Sequence, residues 1–180
     1  MASATETNKE TYASSADRVA LYITYLNLVL YALCYQLQAP VEPFLIKSLS
    51  GNLGDADVVN QMYGRLQSFF SIVQMIGSPI VGVMLDRMGI RKASAMVFLA
   101  SAVSYAILAN ASDLPMLFAS KIPSALQHAF LIAQAVAATS CGGDAVARAQ
   151  ALGRMTTAYT IGATAGPALG GYLADSGNFY

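Results

Sequence analysis

The sequence predicts an all-α membrane protein with five transmembrane helices, and three observations carry that reading. Of 180 residues, 56% are hydrophobic and only 11% charged, whereas soluble domains carry about a quarter charged residues. The apolar residues fall into five runs, each near the roughly 20 residues that a helix needs to cross a bilayer core. The charged residues gather in the short links between the runs.

Residues 1–18, "MASATETNKETYASSADR", are polar and rich in Ser, Thr and Ala. They lack the apolar core of a secretory signal and read as a disordered cytosolic tail. The spans follow at about 19–39, 62–85, 93–110, 114–140 and 151–174. Cys34 and Cys141 lie within or at the end of apolar runs. Two such cysteines suggest neither a disulfide framework nor a metal site, and both read as core thiols. Ten basic and ten acidic residues cancel, so the net charge does not point to nucleic acid. Nothing in the sequence points to a cofactor.

Basic residues flanking the spans set the orientation. Lys9, Arg18, Arg87, Arg91, Lys92, Arg148 and Arg154 fall on one side, Lys47 and Arg65 on the other, and Lys121 lies inside span four. This seven-to-two bias places the N-terminus in the cytosol of a multi-pass integral protein. Plasma and organelle membranes are not distinguished.

The link "GVMLDRMGIRKA", residues 82–93, places Asp86, Arg87, Arg91 and Lys92 between two apolar runs. Gly89 suits a left-handed turn position. Gly82 suits a close approach between helices, and Asp86 suits a cap at a neighbouring helix start. A plain positive flank would explain the three bases but neither Asp86 nor the glycine spacing. The pattern resembles the signature of the major facilitator superfamily, where it joins the second and third helices on the cytosolic side. Gly77, Ser78 and Pro79 just upstream also resemble that family. In span five, "GATAGPALGGYLAD" resembles the fifth-helix motif of the family's antiporter branches, through Gly162, Gly166, Pro167, Gly170 and Gly171. Gly162, Gly166 and Gly170 recur every four residues and form one smooth stripe for helix contact. Ordinary small-residue packing is the alternative reading. The stretch "LFASKIPSALQHAFLIAQ", residues 117–134, resembles the organic-cation-transporter-like branch of solute carrier family 22 member 18. Drug antiporters of the family usually carry Arg in this helix, with Gln-Gly three and four positions on; here stand Lys121, Ser124 and Ala125.

Intramembrane polar residues usually face protein or water. With span four as one helix, Lys121, Ser124, His128, Ile132, Ala135 and Thr139 share a face. Span one carries Asn27, Tyr31, Cys34 and Gln38 as a stripe, and span two carries Gln67, Ser71, Gln74 and Ser78. The resemblance implies that spans one and four line a solute path, with Asn27, Tyr31, Gln38, Glu42, Lys121, Ser124 and His128 as candidates. The span-two stripe reads as interface. Lys121 either faces the path or snorkels outward. His128 is either a proton carrier or a hydrogen-bonded structural residue, the commoner case. Glu42, between Pro40 and Pro43, is either a gate or cation site or a solvated loop residue, and the loop reading is preferred. No constellation supports an enzyme.

The five spans correspond to an incomplete N-terminal six-helix half of a major facilitator fold, over residues 19–180. The resemblance implies alternating-access transport of a small solute, as a proton-coupled antiporter of organic cations or drugs. Its partners would be the bilayer, the solute, protons and the remaining transporter helices. A truncated, non-transporting membrane protein with a structural or regulatory role is the alternative. The orientation is tested by single cysteines at Gly51 and Met88 in a Cys-free background. An impermeant thiol reagent applied to intact cells should label the first and spare the second; labelling of Met88 reverses the topology.

Overall fold

The computed structural model describes residues 15–50 and 56–175. Among them every regular element is helical: α1 (Ser15–Leu49), α2 (Ala56–Ala109), α3 (Leu114–Ser120), a 3-10 helix (Pro123–Leu126), α4 (Ala129–Ser140) and α5 (Ala145–Asp175). The first fourteen residues of the expected tail lie outside the described residues, and residues 15–18 are already helical. At its other end α1 runs through Pro40 and Pro43 to Leu49. Glu42 therefore sits inside a helix, not in a loop, and span one is longer than its apolar run suggests.

Helix α2 holds two expected spans as two arms, 56–88 and 90–109. They meet at Gly89, whose backbone (φ 76, ψ 165) is non-helical. That region is essentially reserved for glycine. The arms fold back on each other: Leu66 and Leu108 belong to one core cluster, and Val81 and Val97 to the other. The whole charged link turns on a single residue. Two helices, Asp17–Leu49 and Ala56–Ala109, are long and apolar enough to cross a membrane. Large apolar side chains also face outward. Tyr22 is 68%, Met75 69% and Leu99 66% exposed, the reverse of what a water-facing helix presents. Cys34 is exposed as well, which corrects its assignment to the core; Cys141 is buried.

Expected span four is interrupted. Asp113 caps α3, its carboxylate accepting from the Met116 N–H at 2.8 Å. The α-helix stops at Ser120. Pro123 has no N–H to continue the ladder, and a 3-10 turn follows. Gln127 (φ −75, ψ 59) and His128 (φ −108, ψ 55) are both non-helical before α4 begins. The face expected to align Lys121 and Ser124 with His128, Ile132, Ala135 and Thr139 does not exist as one face.

Helices α1 and α5 meet backbone to backbone along the glycine stripe. A Cβ on Gly162 would press on the Val29 carbonyl oxygen and stand 2.9 Å from the Ala32 Cβ. One on Gly166 would lie 2.8 Å from the Leu33 carbonyl oxygen, and one on Gly170 2.8 Å from the Pro40 Cγ. Gly171 has nothing within 4 Å at that point, and α5 continues through Pro167. Gly82 likewise has open space; Gly77 is the glycine of α2 that a neighbour approaches closely, at the Ala125 carbonyl. Gly166→Leu should push α5 off α1 and lower the thermal unfolding midpoint, while Gly171→Leu should leave it near wild type. Equal effects of the two substitutions, read by unfolding in detergent, would remove the stripe from the α1–α5 contact.

Candidate functional site

A charged pair sits where α1 passes the interruption. Glu42 on α1 and Lys121 at the end of α3 are 4% and 7% exposed. The Lys121 ammonium donates to Glu42 Oε1 and to Gln38 Oε1 at 3.3 Å. Gln67 Nε2, from the first arm of α2, donates to Glu42 Oε2 at 2.9 Å. The ammonium also stands 5.7 Å from the Phe70 ring centroid, within reach of a cation–π attraction. Gln38 and Glu42 share a face because they are one helical turn apart. Lys121 reaches them because α3 ends there. It neither snorkels nor faces water.

One cavity adjoins the pair and a second shares two wall residues with it. The smaller, about 160 Å³, is lined by Gln38, Glu42, Gln67 and Lys121 together with Tyr35, Tyr63 and Phe70. The larger, about 450 Å³, is lined by Tyr31, Gln74, Gln127, His128, Phe130 and Tyr159, again with Tyr35 and Phe70. The Tyr35 and Phe70 rings, 5.8 Å apart between centroids, stand in the walls of both. One cavity is thus polar and charged, the other aromatic with a few polar groups.

Non-helical backbone needs acceptors and donors from elsewhere, and side chains satisfy the carbonyls of the interruption. Ser104 Oγ donates to the Ser120 carbonyl at 2.7 Å. Ser124 Oγ donates to the Lys121 carbonyl. Gln74 Nε2 donates to the Ser124 carbonyl at 2.7 Å, and Tyr31 Oη to the Gln127 carbonyl at 2.8 Å. Three of the four come from α1 or the two arms of α2, so the break is tied to three neighbouring segments.

Of the expected path residues, Gln38, Glu42 and Lys121 meet at the smaller cavity, and Tyr31 and His128 at the larger. Ser124 is buried and closes the turn of backbone beside the pair. Asn27 lines neither cavity. The span-two stripe divides: Gln67 and Gln74 join the site, correcting its reading as interface, while Ser71 and Ser78 are exposed. Tyr35, Phe70 and Gln127 were not singled out in the sequence. The Gln67–Gln74 heptad spacing was the available signal for their half of the wall. Asp86, Arg87, Arg91 and Lys92 are exposed and lie apart from both cavities. Asp86 has no hydrogen bond or ion pair among the described residues, so the cap expected of it is not made within them.

Comparison with known proteins places these features in a wider setting. The family model described as Major Facilitator Superfamily matches residues 24–180. Human solute carrier family 67 member A1 is 32% identical over 161 residues, covering 87% of this chain and 36% of that protein. Solute carrier family 22 member 18 of Mus musculus is 34% identical, covering 85% and 37%. The class D tetracycline resistance protein of Salmonella ordonez is 33% identical, covering 87% and 38%. The crystal structure of the human organic anion transporter MFSD10 (TETRAN) superposes with a TM-score of 0.67 at 21% identity, covering 88% of this chain and 42% of that one. The chain thus spans a little over a third of the length of the curated relatives it matches.

A buried pair is costly to break and cheap to replace. Removing one partner strands the other charge, at about 3–5 kcal/mol, whereas swapping both for apolar groups is often neutral. Glu42→Gln and Lys121→Met should each lower stability on that order, and the double variant should recover most of the loss. Additive losses in chemical unfolding would mean that the two side chains do not depend on each other.

Proposed function

Because this chain belongs to the major facilitator superfamily, we propose that it supplies N-terminal helices of an alternating-access transporter, with the Glu42–Lys121 pair in the solute path. In this reading residues 19–180 cross the bilayer five times: once in α1, once in each arm of α2, once through the interrupted α3–α4 segment and once in α5. The N-terminus and the Gly89 turn lie on the cytosolic side. The solute is a small organic molecule with an aromatic or apolar body, for which the 450 Å³ cavity has the aromatic walls.

The buried pair carries this reading. Its two charges come from different segments and line a cavity. Glu42 can leave Lys121 only if another positive species takes its place. A proton or a cationic solute would serve, and a site that accepts either but not both is the chemical core of exchange. Organic cations or drugs exchanged for protons are the solutes to which the family resemblance points, and drug-resistance proteins among the relatives agree with it. Released from Glu42, the Lys121 ammonium keeps Gln38 and the Phe70 face as partners. His128, in the adjoining cavity, is the second candidate for the proton.

The test is uptake of radiolabelled methylphenylpyridinium, a flat organic cation, into proteoliposomes under an imposed pH gradient. Wild type should accumulate it. Glu42→Gln should lose gradient-driven uptake by at least about tenfold, since its amide cannot titrate, and His128→Gln should keep it. Retained uptake in Glu42→Gln with loss in His128→Gln would transfer the role to the imidazole. Gradient-independent flux in every variant would end the proton-exchange reading.

A further inference from the structure

We propose that Tyr35 and Phe70 set the shape of the solute's positive group: they admit a flat cation, such as a pyridinium, to the Glu42 site and turn away a tetrahedral quaternary ammonium. The inference rests on the transporter reading above and narrows its solute class. Position is the first observation. Among the described residues, these two alone stand in the walls of both cavities. A molecule whose aromatic body fills the 450 Å³ cavity brings its charge to Glu42, in the 160 Å³ cavity, past these two rings. Spacing is the second. The ring centroids are 5.8 Å apart and the planes are tilted by 32°. A flat group lying between two rings needs about 7 Å, twice the roughly 3.5 Å contact distance of carbon atoms. The passage is therefore closed in this structure, but by little. About 1 Å beyond the observed 5.8 Å admits a planar group. A tetrahedral ammonium carries substituents above and below that plane and needs a much wider opening.

The two rings are held differently. Phe70 already has a positive charge beside it, the Lys121 ammonium 5.7 Å from its centroid, as aromatic faces favour. Tyr35 stacks nearly parallel on Tyr31, with centroids 6.2 Å apart and planes at 9°. The Tyr31 hydroxyl is fixed on the Gln127 carbonyl. The Tyr35 hydroxyl makes no hydrogen bond among the described residues, and its ring is half-buried. Tyr35 is thus the ring that yields, its stacking on Tyr31 limits how far, and Phe70 is the ring that receives the cation. A flat cation meets favourable groups in turn: the aromatic wall, the Phe70 ring and then the Glu42 carboxylate in place of Lys121. A bulky head meets the same charges but stops at the rings.

The experiment is a calorimetric binding titration with the protein in lipid nanodiscs and two matched cations. One is the methylphenylpyridinium of the uptake assay. The other is 4-phenyl-N,N-dimethylpiperidinium, with the same skeleton and charge but a puckered, tetrahedral head. Neutral 4-phenylpyridine at pH 8 reports on the aromatic cavity and identifies a folded variant. Wild type should bind the pyridinium at least about tenfold tighter than the piperidinium, the discrimination coming from a clash with the wrong head. Tyr35→Ala should tighten the piperidinium by at least about tenfold, because the clash is gone. Tyr35→Leu should act in the same direction, and Tyr35→Phe, which keeps the ring, should keep the wild-type preference. A preference that arose only from stacking on Tyr35 would instead fall through weaker pyridinium binding, with the piperidinium unchanged, and that result overturns the proposal. So does equal binding of the two heads by wild type, or a preference that survives in both Tyr35→Ala and Tyr35→Leu. Glu42→Gln/Lys121→Met separates this proposal from the reading it rests on. If pyridinium binding depends on the pair but the heads bind alike, the shape selection falls and the pair stays in the solute path. If neither cation responds to loss of the pair, both fall.

Discussion

Helical hydrogen bonding fails at Pro123, and much of the molecule is arranged around that failure. A proline inside a helix removes one donor and crowds the carbonyl one turn earlier. In a bilayer no water replaces what is lost, so other parts of the protein must. The replacement is visible at four carbonyls of the break, those of Ser120, Lys121, Ser124 and Gln127. Ser104 comes from the second arm of α2, Gln74 from the first, Tyr31 from α1, and Ser124 from the break itself. The first three bonds each tie a different segment to the same short stretch of backbone. The break is therefore also the place where helices far apart in the chain are held in register. Ending α3 at Ser120 has a second effect: Lys121 becomes a helix terminus, and its side chain turns inward to Glu42.

That inward turn requires α1 to have two working faces. One face, through the backbone at Val29, Leu33 and Leu37, receives the glycines of α5. The other carries Tyr31, Tyr35, Gln38 and Glu42 toward the cavities. Successive helical residues are about 100° apart, so positions offset by two residues point away from each other. At the close glycine contact the backbone of α1 meets α5 beside Ala32, Gln36 and Pro40. The polar groups that α1 gives to the cavities, Tyr31, Tyr35, Gln38 and Glu42, lie away from that contact. Small residues on one face and polar residues on the other are thus parts of one arrangement, linked by the width of a single helix.

How much of this was legible in the sequence follows from the range of each interaction. The turn at Gly89 and the stripe at Gly162, Gly166 and Gly170 were readable, because a positive φ and a four-residue repeat are local properties. The stripe's partner was not readable, because nothing in a one-dimensional pattern names the helix opposite. Pro40 and Pro43 suggested that α1 ended before Glu42, yet the helix continues to Leu49, with Pro40 packed against Gly170. Pro123 gave the opposite error. It stood within a long apolar run, and hydropathy alone favoured one continuous helix. Its break was marked only by the surrounding polar residues, Ser120, Ser124 and Gln127, which satisfy or need hydrogen bonds that a regular helix would have made internally. Glu42 and Lys121 were each visible as candidates. Their pairing, 79 residues apart, depends on tertiary structure and was not.

The buried pair raises a question that stability does not answer. Two well-packed leucines would hold α1 to the end of α3 as firmly as Glu42 and Lys121, because desolvation cancels most of what the charges gain from each other. What leucines could not do is change partners. In the proposed transport cycle the pair has two arrangements. In one, each charge neutralises the other. In the other, an incoming positive species occupies Glu42 while Lys121 rests on Gln38 and Phe70. The second arrangement is attainable because those auxiliary groups already touch the ammonium in the first. Gln67 plays the same part for the carboxylate, holding the oxygen that Lys121 does not use. A pair with no such neighbours would be locked by the cost of stranding either charge. A pair surrounded by them can open without leaving a bare ion in the interior, and this is the physical reason to regard Glu42 and Lys121 as a working site and not only as a clasp between helices.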